Sequence, residues 1–260
     1  MRILTESEIL DFPSQLSRLN IIHDNEFIES PWLQYIAHVE QFKENPLFYH
    51  VSGYETQIMA LVREVERIKG SFFNFKAGIE QIIRQEINPA LKLIEPRLSV
   101  KYSVEAEKLG FFMKDPFGVD TVISPSQGIM AITNVLIQLS LECLNVENVK
   151  NKYAFWYQPE MYLSESLAFY LGMAIPHWLN LYPKLNLIIG TTSTPLFYGI
   201  RVAIRKELIR PDSVRAFDVK GSSKEAKVTV VDIGKTGEVR DRPIDFFRSI
   251  ENIKEFYLLK

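Results

Sequence analysis

The stretch 152–195 constrains the fold of this chain more than any other. A short apolar run at 153–157 is interrupted by Gln-Pro-Glu at 158–160, and a helical pattern precedes a second apolar run at 185–189. Two strands that are apolar on both faces, joined by a helix, predict a βαβ unit in a buried parallel sheet. Ligands of such sheets bind at the carboxyl ends of the strands, which here are residues 158–160 and 191–193.

Composition and charge exclude several classes of protein. The formal net charge of −2 gives no broad attraction for nucleic acid, and 260 residues suffice for one large α/β domain or two small ones. The single cysteine, Cys143, excludes an intrachain disulfide, and His23, His38 and His50 have no metal-ligand spacing, so no metal site is predicted. Because residues 1–8 lack signal-peptide architecture and no stretch has the apolar length of a membrane span, we expect a cytoplasmic protein.

The first part of the chain, residues 1–96, is predicted to be a mostly helical region. Residues 1–50 mix aromatic and apolar side chains with acids and prolines, which favours short helices packed on a larger body. Residues 54–94 carry apolar stripes at helical spacing, with a break or kink at Asn88-Pro89. This pattern fits a helical hairpin in the core or an inserted helical arm, and both alternatives stay open.

The second part, residues 97–260, is predicted to be an α/β core that ends in a β-hairpin and a helix. Alternating apolar residues predict a half-buried strand at 97–105, and the segment 108–113 is expected to pair back against it. The remaining predicted elements follow in chain order: a turn at 115–118, a helix face at 197–204, strands at 213–219 and 227–233, a hairpin turn at 234–237, and a helix at 244–258.

A helix start lies at residues 123–130. Ser124 is placed as the N-cap, Pro125 suits the first helical position, and Gln127 follows three residues after the cap, so a helix is predicted through Cys143. One interpretation is simply a well-capped helix. The other is a helix start whose free N–H groups, hydroxyls and glycine face a phosphate group.

The order of these segments resembles the carboxy-terminal half of an ABC-class ATPase. The resemblance is strongest to the AAA-type predicted ATPases related to the SMC and overcoming-lysogenisation-defect groups, and it covers residues 97–260. Residues 125–128 resemble the signature G-x-S-Q-x-x-P, and residues 157–164 resemble the Walker B sequence E-Q-P-E-x-H-L-H-P. Residues 191–193 resemble the switch T-H-S, and residues 237–247 resemble the terminal pattern G-x-x-x-x-P-x-x-F-F.

The resemblance implies an α/β fold with a parallel-sheet, P-loop-NTPase-like core of the ABC class that lacks the phosphate loop. A helical region would precede this core, and a small β segment would end it. It also implies that the signature-like segment contacts nucleotide through four residues: Ser124, Ser126, Gln127 and Gly128.

The departures from the family pattern fall on residues that carry chemistry. No G-x-x-x-x-G-K-[ST] occurs in the chain, and Tyr157 stands where the magnesium-binding acid is expected. Gln158 takes the adjacent position of a degenerate Walker B motif, in which Glu160 is either a surviving acid or a first-turn carboxylate that favours the helix dipole. At the degenerate switch, Thr192 replaces histidine and Ser193 is retained. We therefore predict no catalytic residue and no metal ligand.

These losses predict a non-hydrolytic pseudo-ATPase subunit that acts through protein–protein interaction and donates its signature-like helix to a partner ATPase. The alternative is half of a split ABC-class ATPase whose Walker A lobe is on another chain, acting in nucleic-acid processing or defence. Tyr157 disfavours the alternative, because a split enzyme still needs its metal ligand. The expected partner is an ATPase or a second copy. ATP and Mg²⁺ would bind only where a partner completes the site, and nucleic acid only through a complex.

Overall fold

The computed structural model describes part of the chain. The described residues are 2–3, 17–24, 80–103, 108–130, 132–133, 136–137, 152–161, 163–220, 227–240 and 246–247. Several predictions lie outside them, namely those for His38, His50 and Cys143, most of the helical arm, and the terminal helix apart from residues 246–247.

The described strands form a seven-stranded mixed sheet and a three-stranded antiparallel sheet. The strands are β1 (Arg2–Ile3), β2 (Leu19–Asp24), β3 (Leu98–Ser103), β4 (Lys108–Lys114), β5 (Asp120–Ile123), β6 (Lys152–Tyr157), β7 (Leu185–Gly190), β8 (Val214–Lys220), β9 (Lys227–Ile233) and β10 (Val239–Arg240). The helices are α1 (Asn88–Ile94), α2 (described at 127–130, 132–133 and 136–137), α3 (Glu165–Leu181) and α4 (Thr194–Arg205). A π-helical segment, Ile83–Ile87, precedes α1, and a short 3₁₀ helix, Pro211–Ser213, precedes β8.

The βαβ unit predicted at 152–195 is present. Strands β6 and β7 pair in parallel from Lys152 opposite Leu185 to Tyr157 opposite Gly190, with α3 between them in the chain. Leu185, Leu187 and the two isoleucines of β7 are buried, as expected of a strand covered on both faces. The α/β fold class with a parallel sheet is therefore confirmed.

Strand β2 differs from the expectation of a helical region at 1–96. It lies in the middle of the large sheet, parallel to both β7 and β8, and the order is β1-β9-β8-β2-β7-β6, with β10 also on β9. Leu19 and Ile21 are fully buried there. The side chain of Asn20 accepts the N–H of Ser17 at 2.8 Å and donates to the Ser17 carbonyl at 2.6 Å. The sheet predicted within 97–260 is thus completed by residues near the start of the chain.

The small sheet has the order β3-β4-β5. The predicted strand at 97–105 and its pairing with 108–113 are confirmed, whereas the third strand, β5, was not predicted. The predicted turn at 115–118 forms because Asp115 Oδ1 accepts hydrogen bonds of 2.8 Å from the N–H groups of Phe117 and Val119.

Two prolines do not end the helices that contain them. Pro89 follows the π-helical segment. The preceding residue, Asn88, accepts the N–H of Val100 at its Oδ1 at 2.8 Å and donates from its Nδ2 to the Val100 carbonyl at 3.1 Å. The wider π turn offers room for a proline ring that would clash in an α-helix interior. Pro176 was expected to kink or end its helix, and the structure excludes the second alternative because α3 runs on past Pro176 to Leu181.

Helices α3 and α4 pack with their backbones in close contact at two glycines. A Cβ atom added at Gly172 would collide with the carbonyl oxygen of Leu196, and one added at Gly199 would collide with that of Phe169. Since α4 follows β7 directly, this contact holds the segment after β7 in place.

Replacement of Gly172 by alanine tests this packing. Alanine in a helix interior normally stabilises a protein relative to glycine by about 1 kcal/mol. Here we expect Gly172→Ala to lower the free energy of unfolding by about 3 kcal/mol because the backbones must separate. Urea denaturation measures the change, and Ser166→Ala on the exposed face of α3 is the control, expected within about 0.5 kcal/mol of wild type. A Gly172→Ala variant as stable as the control would contradict the close contact.

Candidate functional site

The Walker B-like turn and the switch-like segment meet at the carboxyl ends of β6 and β7. The last residues of the two strands, Tyr157 and Gly190, are register partners, and the N–H of Gln158 donates to the Gly190 carbonyl at 2.8 Å. We call the group formed by Gln158, Glu160, Thr191, Thr192 and Ser193 the carboxyl-end site. The side chain of Tyr157 lies outside the described part of the structure.

Gln158 turns the chain back toward β7. Its φ of 42° lies in the left-handed region, which costs a non-glycine residue about 1 kcal/mol. The turn is closed by hydrogen bonds from Met161 N–H to the Gln158 carbonyl at 3.1 Å and from Leu163 N–H to the Glu160 carbonyl at 2.8 Å. Glu160 is thereby directed toward the residues that follow β7.

Glu160 is joined to the switch-like segment by a short chain of hydrogen bonds. The Thr191 hydroxyl donates to Glu160 Oε1 at 2.5 Å and accepts the N–H of Ser193 at 2.9 Å. Glu160 Oε2 is buried and has no hydrogen-bond partner among the described residues. Burial raises the pKa of the Glu160 carboxyl, against the opposing hydrogen bonds from Thr191 and from the backbone N–H groups of Glu160 and Ser193.

This geometry corrects one interpretation of Glu160. Helix α3 begins only at Glu165 and is capped by Ser164, whose Oγ accepts the N–H of Leu167 at 3.4 Å. Glu160 therefore does not act on the helix dipole as a first-turn carboxylate. The sequence analysis placed Thr191 in the switch-like segment 191–193 but assigned roles only to Thr192 and Ser193, whereas in the structure Thr191 makes the contact with Glu160.

The two switch-like residues have separate environments. Thr192 is exposed, whereas Ser193 is the N-cap of α4, and its Oγ accepts the N–H of Leu196 at 3.2 Å. The capping bond is a sufficient structural reason for a serine at this position. The conformation of the segment is thus set by Glu160 on one side and by α4 on the other.

The signature-like helix starts two residues later than predicted. Ser126, not Ser124, is the cap, because Ser126 Oγ accepts the N–H of Ile129 at 3.3 Å and the Ser126 carbonyl accepts the N–H of Met130 at 3.0 Å. Ser124, Ser126 and Gln127 are exposed, whereas Gly128 is buried. Within the described part of the chain, no hydrogen bond joins these residues to the carboxyl-end site.

A second polar pair lies at the carboxyl end of β2, beside Thr191. The Thr191 N–H donates to the Ile22 carbonyl at 2.9 Å, and the next residue of β2, His23, is the register partner of Asp218 in β8. His23 Nδ1 lies 2.8 Å from Asp218 Oδ1, and the two residues are only 3% and 1% exposed. The predicted absence of a metal role for His23 agrees with this paired arrangement but is not tested by it.

Two phenylalanines near the end of the chain cover this pair. The ring centroid of Phe247 lies 4.3 Å from that of His23 and 4.5 Å from that of Phe197, with which it stacks at an interplanar angle of 10°. Phe246 contacts His23 edge-on at 5.2 Å, and both phenylalanines are fully buried. The Phe-Phe pair of the terminal sequence pattern therefore closes the carboxyl end of the central strand.

The described residues contain no group of three or more His, Cys, Asp or Glu side chains arranged to hold a metal ion. Among the described helices, none combines the length and the apolar character that crossing a membrane requires.

Comparisons with known proteins find structural similarity only. No family matches the sequence, and no curated protein matches it. A structure from work on ATP-driven dimerisation and DNA-stimulated activation of SMC ATPases is 12% identical, with a TM-score of 0.41, over 70% of this chain and 94% of the other. An SMC head bound to the C-terminal winged-helix domain of ScpA is 13% identical, with a TM-score of 0.45, over 70% of this chain and 57% of the other. The Pyrococcus furiosus SMC head domain with an extended coiled coil, bound to the C-terminal domain of ScpA, is 11% identical, with a TM-score of 0.41. This match covers 88% of this chain and 67% of the other.

The protonation of Glu160 gives a prediction about stability and pH. Because its pKa is raised in the folded state, the folded protein binds this proton more tightly than the unfolded chain. The free energy of unfolding therefore falls as pH rises from the unfolded pKa, about 4.3, through the folded pKa. Glu160→Gln keeps an acceptor for Thr191 and removes the buried charge. At a pH above the folded pKa, we therefore expect its free energy of unfolding to exceed that of wild type by about 1 kcal/mol.

Denaturation from pH 4 to pH 8 measures this difference, and Glu165→Gln on the exposed first turn of α3 is the matched control. The advantage of Glu160→Gln should shrink toward pH 4, as the unfolded chain also takes up the Glu160 proton. A variant less stable than wild type at pH 8, or a pH profile unchanged by the substitution, would contradict the raised pKa.

Proposed function

We propose that this chain is a non-hydrolytic pseudo-ATPase subunit with an ABC-class-like core, and that it works by binding another protein. The proposal rests on the sequence resemblance together with the departures at its chemical positions. The observation that supports it most is the closed carboxyl end of β2, the strand between β7 and β8 in the parallel part of the sheet.

Phosphate binding at the end of a parallel strand needs a glycine-rich loop with free N–H groups and a lysine. In the sequence, the end of β2 and the residues that follow it read His23-Asp24-Asn25-Glu26, with neither glycine nor lysine. The carboxylate of Asp218 is engaged by His23 at 2.8 Å and lies 3.7 Å from Lys220 Nζ. Phe246 and Phe247 lie over His23, and their apolar rings offer no hydrogen bond to a phosphate group.

The described side chains of the carboxyl-end site do not favour binding of magnesium. Magnesium prefers ionised carboxylates with room for several waters, whereas Glu160 is half-buried with its Oε2 atom buried, and burial raises the pKa of its carboxyl. One oxygen of this carboxyl already accepts the Thr191 hydroxyl. These features suit a structural connection between two loops better than a reaction with nucleotide.

The split-enzyme alternative loses support from the strand order. The pairing is continuous from β6 through β7, β2 and β8 to β9 and β1, so another chain cannot place a strand among them. A partner strand could be added only outside the described sheet, away from the carboxyl end of β2. In this proposal the strand that a phosphate loop would follow is β2, and the sequence of this chain carries no such loop after it.

The surface offered to a partner in this proposal is the start of α2. Ser124, Ser126 and Gln127 are exposed there, and only the acceptor function of Ser126 Oγ is used by the cap. These groups remain able to donate hydrogen bonds to a partner ATPase or to a second copy of this chain. ATP and Mg²⁺ would then bind in the partner's site, and any contact with nucleic acid would be made by the complex.

Nucleotide binding by the isolated chain tests the proposal. We expect titration calorimetry with MgATP to show no saturable binding at millimolar nucleotide, and a phosphate-release assay to show no hydrolysis. Gln158→Ala and Glu160→Gln are the informative variants, because both positions lie where an active ATPase carries its chemistry. Hydrolysis by the wild-type chain that either substitution removes would contradict the proposal and identify an active enzyme.

A further inference from the structure

The outer edge of strand β5 has no strand beside it among the described residues. The small sheet has the order β3-β4-β5, so β5 pairs with β4 on one side only. Asp120, Thr121 and Val122 are exposed, and Ile123 is half-buried. An open edge of this kind is a template for pairing with another extended chain.

The hydrogen-bond phase of the hairpin identifies which backbone groups face outward. The N–H of Asp115 donates to the Val119 carbonyl at 2.9 Å, and the N–H of Lys114 donates away from β5, to the Arg97 carbonyl at 2.9 Å. Hydrogen-bonded and non-bonded pairs alternate along an antiparallel ladder. The N–H and C=O groups of Asp120 and Val122 therefore point away from β4, toward the open edge.

Apolar side chains stand beside these free backbone groups. Val122 is 72% exposed, and Phe117 and Val119 in the preceding turn are 91% and 60% exposed. Val122 is the register partner of Phe112, so the two side chains lie on the same face of the sheet. Val122 therefore places an exposed apolar side chain beside the open edge, and Phe117 and Val119 add apolar surface in the adjoining turn.

The charge on this face is mainly positive. Lys101 Nζ lies 2.8 Å from Asp120 Oδ2 and 4.6 Å from the centroid of the Phe112 ring. The hydrogen bond from Lys101, followed by the charges of Lys101, Lys114 and Lys92, lowers the pKa of Asp120. Asp120 thus feels the charge of three lysines, of which Lys101 is in direct contact, and an acidic partner would complement the lysines that Asp120 leaves unpaired.

We propose that the open edge of β5 binds an extended, apolar and acidic segment of a partner protein as an added strand. The outward N–H and C=O groups of Asp120 and Val122, which have no partner strand in the described part of the chain, hold its backbone. Val122 contacts its apolar side chains, and Lys101 and Lys114 attract its acids. Single-stranded nucleic acid fits less well, because the lysine over Phe112 occupies a ring face on which a base would stack. The proposal uses a surface other than the carboxyl-end site and does not rest on the pseudo-ATPase assignment.

Fluorescence anisotropy with a synthetic peptide tests the proposal on the full chain. The probe is a labelled ten-residue peptide that alternates valine or threonine with glutamate. We expect saturable binding that weakens with salt, and at least about tenfold weaker binding of the same peptide with lysine in place of glutamate. No binding of the acidic peptide, or equal binding of both peptides, would overturn the proposal.

Two substitutions at one position separate strand addition from unspecific attraction. Val122→Pro removes the outward N–H without removing a bond to β4, and we expect at least about tenfold weaker peptide binding. Val122→Thr keeps the N–H and the β-branched shape and should bind within about threefold of wild type. Circular dichroism and thermal unfolding confirm that both variants are folded.

Three results would overturn the proposal. The first is equal peptide binding by wild type and Val122→Pro. The second is preferential binding of a labelled ten-nucleotide thymidine oligomer, which would assign the face to nucleic acid. The third is a dimer in sedimentation experiments that Val122→Pro dissociates, which would assign the edge to a second copy of this chain.

Discussion

The parallel pairing of β2 between β7 and β8 is the constraint on which the rest of the structure depends. Parallel pairing brings the carboxyl ends of the strands to one edge of the sheet, and the register aligns them residue by residue. Gly190, Ile22 and Phe217 form one row across β7, β2 and β8. The next residues along these strands are polar, and they meet at the edge where parallel sheets usually bind ligands.

At that edge several polar groups pair with one another, whereas Glu160 Oε2 has no hydrogen-bond partner among the described residues. Thr191 connects Glu160 to Ser193, and His23 pairs with Asp218 beneath Phe246 and Phe247. Buried polar groups are costly unless they are paired, so these contacts contribute to cohesion at the carboxyl ends of the strands.

The parts of the fold that the sequence predicts well carry strong local signals. The runs at 153–157 and 185–189 are long, apolar and bounded by polar turns, and they form neighbouring parallel strands. Strand β2 has a weaker signal, because Leu19, Ile21 and Ile22 are interrupted by Asn20, and only burial on both faces makes this segment a central strand. Such burial is a tertiary effect that local periodicity does not contain.

The candidate site likewise combines features that the sequence predicts with features that it does not. The carboxyl ends of β6 and β7 were predicted from strand order, but the Glu160–Thr191 contact joins residues 31 positions apart and has no local pattern. The choice of Ser126 over Ser124 as cap was also not predictable, because two serines were available. The observed start buries Ile129, Ile132 and Leu136 on one face of α2, and that packing selects the cap.

Hydrogen–deuterium exchange of residues 19–24 with and without MgATP tests the central claim most directly. A closed central strand predicts slow exchange of the backbone amides of Leu19, Ile21 and Ile22 that nucleotide does not change. Rapid exchange would contradict the position of β2 in the sheet. Protection gained at His23 and Asp24 on addition of MgATP would contradict the closed edge and restore a nucleotide site to this chain.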